Sequence, residues 1–285
     1  MRVAIIGSRG QLGTDLVKVL QEAGSYQVIP LSHAEVECTD LDSVKLALIN
    51  LHPEIVVNCV AHVRVDECED RPEEAFRVNA LGALHVARVS GELNALCVYI
   101  STDYVFDGKK EGFYTEEDTP YPINIYGTSK LAGEYLVSQS CHKCLIVRMA
   151  SLFGQAGSRG KGGNFVDAIL KKARVGESLR IVNDIRMSPT YAYDAALVLE
   201  RLIRKRATGI CHVTNRGSCT WYEFARKSLE LVGIDAKVEP VLSSESPTTA
   251  SRPKNSSLRS TKLSEPRPWE EALRAYLVEK GYIRS

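Results

Sequence analysis

The chain opens with a short apolar run, Val3 to Ile6, that passes directly into Gly7-Ser8-Arg9-Gly10-Gln11-Leu12-Gly13. A stripe of Leu12, Leu16, Val19 and Leu20 at helical spacing follows. Few features restrict a fold as strongly. Glycines between a strand and a helix let the backbone approach a pyrophosphate, and the helix N-terminus offers unpaired N–H groups and a favourable dipole. In this context the motif predicts a dinucleotide-binding unit rather than a merely tight turn. Its residues are Gly7, Arg9, Gly10, Gln11, Leu12 and Gly13.

The rest of the first half repeats the same alternation. Apolar runs at about 26–31, 55–60, 96–101 and 145–149 are separated by helical stripes, including a long one from Glu73 to Leu93. Strands buried on both faces read as continuous apolar runs, which points to a parallel sheet covered by helices. The fold class expected is α/β: a Rossmann-type doubly wound parallel sheet with a smaller, interleaved C-terminal substrate domain. Residues 1–152 form the expected dinucleotide-binding domain, to which 191–215 return, and 153–285 form mainly the substrate domain. Gly154 to Gly163 reads as a flexible crossing, and Ser243 to Pro268 as a surface segment of low apolar content.

Composition excludes several classes. Lys plus Arg is 36 against 35 for Asp plus Glu, a net charge of +1, so nothing draws the chain to nucleic acid or to anionic membrane. No stretch approaches the roughly 20 apolar residues of a membrane span. A strand begins within two residues of Met1, which leaves no room for a signal peptide, and the expected location is cytoplasmic. The eight cysteines are scattered, and only Cys141 and Cys144 have ligand-like spacing. A structural zinc site needs a second such pair, so this one reads as an exposed turn and no metal is expected.

Chemistry enters with Tyr126-Gly127-Thr128-Ser129-Lys130, downstream of Ser101-Thr102-Asp103-Tyr104-Val105-Phe106. Residues at i and i+4 share a helix face, so an ammonium can lie beside a phenol. A neighbouring cation favours the phenolate and moves the phenol, ordinarily near pKa 10, toward the working pH of a general acid–base group. With the glycine loop, this predicts a nicotinamide-dependent carbonyl reductase with a tyrosine acid. The end of the second strand reads Leu31-Ser32-His33, where an NAD site usually carries a carboxylate. No fixed negative charge is therefore expected there to repel a 2′-phosphate. Glu35 and Glu37 come slightly late, Asp40-Leu41 suits an adenine contact, and Arg9 can reach a 2′-phosphate. NADP is the cofactor expected, with NAD also usable.

Across nearly its whole length the chain resembles the dTDP-4-dehydrorhamnose reductases, extended short-chain dehydrogenase/reductases. The matches include Gly10 to Gly13, Val57-Asn58, Val65-Asp66, Ser101 to Gly108, Asn124 to Glu134 and Gly163-Asn164-Phe165. Later ones are Ser188-Pro189-Thr190, Thr220-Trp221-Tyr222, Arg252-Pro253 and Asn255-Ser256, which distinguish this family from other reductases. The resemblance implies that Tyr126 protonates the C4 oxygen of a sugar while hydride arrives from the nicotinamide. Lys130 would hold the nicotinamide ribose and tune Tyr126. Thr102 would hydrogen-bond the same oxygen, with Asp103 holding the sugar. Ala61, His62 and Val63 would line the cofactor, and Asn79 would support that loop or the lysine. Asn164, Phe165, Arg252, Lys254 and Arg259 would serve a nucleoside diphosphate. Where the family often has a Trp against the sugar, this chain has Ser151. No carboxylate cluster matches the magnesium dependence of some members.

The resemblance therefore implies reduction of dTDP-4-dehydro-6-deoxy-L-mannose to dTDP-L-rhamnose. The expected partners are a nucleoside-diphosphate sugar and, as an option left open, a second copy of the chain. One alternative is a reductase or epimerase of another nucleotide sugar. Another is a regulatory subunit resembling the β subunit of methionine adenosyltransferase, which shares the fold and the Tyr/Lys pair but works by binding a partner. The late motifs favour the enzyme.

Overall fold

Along each buried strand, successive side chains point to opposite faces, and here both faces are apolar. In the computed structural model, which describes residues 1–157, 163–246, 248–264 and 266–284, the chain begins with β1 (Arg2–Ile6), α1 (Gln11–Glu22), β2 (Gln27–Leu31), α2 (Leu41–Ile49) and β3 (Ile55–Asn58). Next come α3 (Val65–Asp70), α4 (Pro72–Phe76) and α5 (Gly82–Glu92), with a π turn at Arg77–Leu81. Then follow β4 (Leu96–Thr102), α6 (Ile125–Ser140) and β5 (Cys144–Met149). The remainder comprises β6 (Leu152–Phe153), α7 (Phe165–Arg174), β7 (Leu179–Val182), β8 (Arg186–Met187), β9 (Thr190–Tyr191) and α8 (Ala192–Arg204). It ends with β10 (Gly209–His212), β11 (Cys219–Thr220), α9 (Trp221–Val232), β12 (Val238–Val241) and α10 (Trp269–Glu279).

Six strands form one sheet in the order β10-β5-β4-β3-β1-β2, and every neighbouring pair is parallel. Val3, Ile5, Ile55, Val57, Leu96 and Val98 pack on one side with α1 and α8. Ala4, Ile6, Val56, Cys97 and Tyr99 pack on the other with α2, α5 and α6. The chain leaves β1 to one side for β2 and crosses back to β3 on the other. At such a switch the carboxyl ends of the strands open a crevice, the usual ligand position in a doubly wound sheet. A third apolar cluster gathers Phe153, Leu170, Tyr191, Phe224, Trp269 and Tyr276 from the later elements.

Several expectations need correction. The long helix from Glu73 to Leu93 is broken: a π turn carrying Asn79 separates α4 from α5, and the unforeseen α3 precedes them. The strand expected to reach Val60 stops at Asn58. Within the expected surface segment, Pro253 and Ser256 to Leu258 are buried. Backbone pairing accounts for this. Arg186 N–H donates to Lys254 O at 2.8 Å, and Tyr114 N–H donates to Ser257 O at 2.8 Å. Low apolar content cannot report burial driven by hydrogen bonds. Cys141 and Cys144 are likewise buried rather than in an exposed turn, and the Cys141 thiol approaches the Lys143 carbonyl at 3.3 Å. Of the crossing at Gly154 to Gly163, residues 158–162 lie outside the described residues. Among the described residues no helix is long and apolar enough to cross a membrane.

Candidate active site

A cleft of about 650 Å³ opens at the carboxyl ends of β1, β3, β4 and β5. Gly10, Gln11, Leu12, Ala61 and Val63 line one part of it, and Thr102, Asp103, Tyr126, Lys130 and Ser151 another. Phe165, Ala168 and Trp221 close it from α7 and α9.

Helix α6 is placed by local signals. Asn124 caps it by accepting from Gly127 N–H at 2.7 Å, and Glu69 accepts from Ile125 N–H at 2.8 Å. The helix lies so close to the turn after β4 that a Cβ on Gly127 would fall 2.1 Å from the Tyr104 carbonyl oxygen. Only glycine fits there, which explains its place beside the tyrosine. Gly13 plays a similar part in α1, where a Cβ would meet Gly7 O at 2.3 Å.

The electrostatics differ from the simple tyrosine–lysine picture. Burial pushes the Tyr126 phenol above its ordinary value, opposed by hydrogen bonding from the Thr102 hydroxyl and reinforced by the Asp103 carboxylate. The expected shift toward neutrality is not found in the protein alone. Lys130 is 1% exposed, with its ammonium 4.1 Å from the centroid of the Tyr99 ring. Burial pulls it down to about 7, against the Glu134 carboxylate, which acts upward. Among the described residues its Nζ has no hydrogen-bond partner, and neither has Oε1 of Gln11. A buried ammonium is costly without acceptors. Two such atoms bordering one cleft fit a ligand that carries hydroxyl and amide groups, as a nicotinamide ribose does.

A second recess, of about 460 Å³, lies between the glycine loop and the end of β2. Ser8, Arg9, Thr14, Ser32 and Glu35 line it. The Glu35 carboxylate accepts from the Ser32 hydroxyl and, at 2.7 Å, from the Ser32 N–H. These bonds, with Arg9 nearby, hold its carboxyl below the usual range. The expectation of no fixed negative charge at this place is therefore overturned. The chain turns after β2 and folds Glu35 back onto Ser32, so a carboxylate that comes late in the sequence still reaches the recess.

Comparison with known proteins then decides the family. The model of the RmlD substrate binding domain matches residues 1–281. The chain belongs to the RmlD substrate binding domain family. It is 38% identical over 284 residues to the spore coat polysaccharide biosynthesis protein SpsK of Bacillus subtilis, covering 98% of both chains. It is 34% identical to a dTDP-4-dehydrorhamnose reductase of Aggregatibacter actinomycetemcomitans, covering 96% of this chain and 97% of that one. A crystal structure of dTDP-4-dehydrorhamnose reductase from Bacillus anthracis in complex with NADP matches with a TM-score of 0.92 and 36% identity, covering 98% and 99%.

In this RmlD-family chain, several residues marked by the sequence lie away from the recesses or are engaged within the protein. Asp40 caps α2, accepting from Asp42 N–H at 3.0 Å, and Leu41 begins that helix. Neither residue lines the two recesses. The His62 ring turns toward Glu67, with Nε2 3.8 Å from the carboxylate, while its neighbours Ala61 and Val63 face the cleft. Asn79 is fully buried. It accepts from His62 N–H at 2.8 Å and donates to Ser129 Oγ at 3.0 Å. It therefore ties the 61–63 loop to α6 rather than touching the cleft. Asn164 borders the cleft, but its side chain caps α7 and donates to Tyr276 Oη at 2.8 Å. Arg252 is held by Asp66 through bonds of 3.1 and 2.7 Å and lies off the cleft lining. Its guanidinium is paired with the Asp66 carboxylate there. Lys254 is exposed outside the cleft, and Arg259 lies over the Phe113 ring, 4.3 Å from its centroid.

Some cleft residues carried no individual role in the sequence reading. Trp221 packs on Phe165 with ring centroids 4.8 Å apart and supplies an aromatic wall, although position 151 is Ser. Ser151 itself has φ 42, an uncommon left-handed value for a non-glycine residue. Such strain gathers at functional sites. The Thr220-Trp221-Tyr222 motif was the signal for Trp221, but its place in the cleft depends on α9 docking beside α7.

Proposed function

We propose that this chain is an NADPH-dependent reductase that converts the C4 keto group of dTDP-4-dehydro-6-deoxy-L-mannose to the alcohol of dTDP-L-rhamnose. The carrying observation is the buried Lys130 ammonium, without a hydrogen-bond partner among the described residues, on the same helix as Tyr126 and in a cleft that also presents Thr102. Family membership and the reductase relatives support the chemistry. The RmlD-family reading divides the labour as well. Residues 1–152 with 191–215 bind the dinucleotide, and the rest of 153–285 mainly receives the sugar nucleotide.

Gly10, Gln11, Leu12, Ala61, Val63 and Lys130 would hold the cofactor, with Arg9 toward its 2′-phosphate. A bound nicotinamide supplies the hydride that the carbonyl carbon accepts. Thr102 and Tyr126 orient the C4 oxygen, and Tyr126 gives it a proton. A phenol pushed upward by burial stays protonated at neutral pH, as an acid must. Lys130 donates to the ribose and supports the charge that Tyr126 carries after transfer. We read the protein as cytoplasmic, a view supported by its free cysteines.

Purified protein should oxidise NADPH with dTDP-4-dehydrorhamnose and yield dTDP-L-rhamnose. Free dTDP should compete, because remote nucleotide contacts contribute much of the binding energy. NADPH oxidation that gave the C4 epimer instead would replace the product assigned here. No oxidation with any 4-keto sugar nucleotide would end the reading.

Cofactor choice gives a second expected outcome. Arg9 favours a 2′-phosphate, whereas Glu35 repels it and can accept from a 2′-hydroxyl. Both are exposed, so each effect is modest. Arg9→Ala should lower the NADPH-to-NADH ratio of kcat/KM by about three- to tenfold, and Glu35→Gln should raise it by a similar factor. Ratios unchanged in both variants would remove this recess from cofactor selection.

A further inference from the structure

Behind Tyr126 and Lys130 lies a polar cluster of Ser101, Glu134 and Arg148, of which Ser101 borders the cleft and the two charged members do not line it. Glu134 stands one helical turn beyond Lys130 on α6 and is 3% exposed, and Arg148 on β5 is 2% exposed. One carboxylate oxygen of Glu134 accepts from Arg148 Nε at 2.9 Å and also from the Ser101 hydroxyl. The other accepts from Arg148 Nη2 at 2.7 Å. Ser101 precedes Thr102 on β4 and lies opposite Arg148 in the parallel register. A single carboxylate thus joins both strands and the helix at the level of the reacting groups.

We propose that Glu134 is a positioning residue. Through Ser101 and Arg148 it fixes the strand that ends in Thr102 against the helix that carries Tyr126 and Lys130, and it keeps a negative charge behind the Lys130 ammonium. The proposal rests on the reductase reading of Tyr126, Lys130 and Thr102.

Stability alone gives a weak account of such a pair. A buried ion pair often contributes little compared with apolar residues of the same volume, although removing one partner strands the other charge. The surroundings of Lys130 give the pair a further consequence. The ammonium lies over the Tyr99 ring from β4 and interacts with the Cys59 thiol after β3 and with Glu134 on α6, while Tyr126 lines the same cleft. Of these, Glu134 is the carboxylate, paired with the Arg148 guanidinium at 2.9 and 2.7 Å. It opposes the burial that would strip Lys130 of its proton.

The test uses Glu134→Gln/Arg148→Met, which removes both charges with little change of volume and strands neither. NADH affinity of the parent should weaken as pH rises through the Lys130 transition, near 7. NADH avoids the titration of a 2′-phosphate. In the double variant this midpoint should move down by about one pH unit, the effect of removing a nearby opposite charge. The alkaline limb of kcat/KM should move with it, and kcat should fall about tenfold at pH 7.5. A folded double variant with the parent's midpoint and kcat would overturn the proposal. If it fails to fold, Ser101→Ala tests the mechanical arm alone. Its kcat should fall several-fold with NADH affinity unchanged, and parental kcat would overturn the proposal. Because NADH binding needs no sugar substrate, a shifted midpoint in a protein inactive on every 4-keto sugar nucleotide would sink the reductase reading and leave the role of Glu134 at Lys130 standing.

Discussion

Tyr126→Phe should lower kcat by about 10²–10⁴-fold while NADPH affinity and thermal stability stay near those of the parent. The range is that of a single general acid. The substitution removes only a hydroxyl, and the edge contact between the Tyr126 and Tyr104 rings, with centroids 5.9 Å apart, needs none. The effect should appear in kcat rather than KM, because proton donation acts in the transition state. Residual activity should depend on Thr102, the remaining hydroxyl for the C4 oxygen. The double variant Tyr126→Phe/Thr102→Val should therefore be less active than either single one. Turnover of Tyr126→Phe within threefold of the parent would remove the tyrosine from the chemistry.

Lys130→Met should weaken NADH binding by about 10- to 150-fold at pH 6.5, the worth of one charge-assisted hydrogen bond. Turnover should fall as well, since Tyr126 loses its cationic neighbour. Stability should move the other way. Lys130 has its folded pKa at about 7, below the ordinary 10.5. Between those values the unfolded chain binds the extra proton, so the parent's stability rises with pH across that window. Below it the parent carries the full cost of burying the ammonium. Lys130→Met loses this slope, and at pH 6.5 its melting temperature without cofactor should equal or exceed the parent's. Unchanged NADH affinity together with a lower melting temperature would show that Lys130 is a packing residue.

The organisation of the front half was legible because its signals are local. Strand and helix periods reside in neighbouring residues, and the glycine loop combines an obligatory turn with a close strand–helix contact. Local interruptions were harder to read. The stripe from Glu73 to Leu93 shows continuous helical spacing, yet Asn79 finds partners at His62 and Ser129, and a π turn accommodates it. The apolar content of 243–268 gave no hint of burial, since the hydrogen bonds that draw Ser256 to Leu258 inward come from Tyr114 and Arg186.

By itself the sequence determined that β1 runs into a tight glycine turn that opens α1, that a parallel sheet covered on both faces follows, and that Tyr126 and Lys130 share one face of one helix. Each of these depends on spacing of a few residues. Tertiary structure alone decided which charges meet. It set Glu35 beside Arg9, closed Asp66 on Arg252, brought Trp221 to Phe165 and joined Glu134 to Arg148 and Ser101. Most of these partners are far apart in the chain, and even Glu134 and Arg148 meet only because α6 docks on β4 and β5. A charged side chain in isolation carries no sign of its partner. Sheet order and helix docking supply that partner, and with it whether the charge is neutralised or left to act on a ligand.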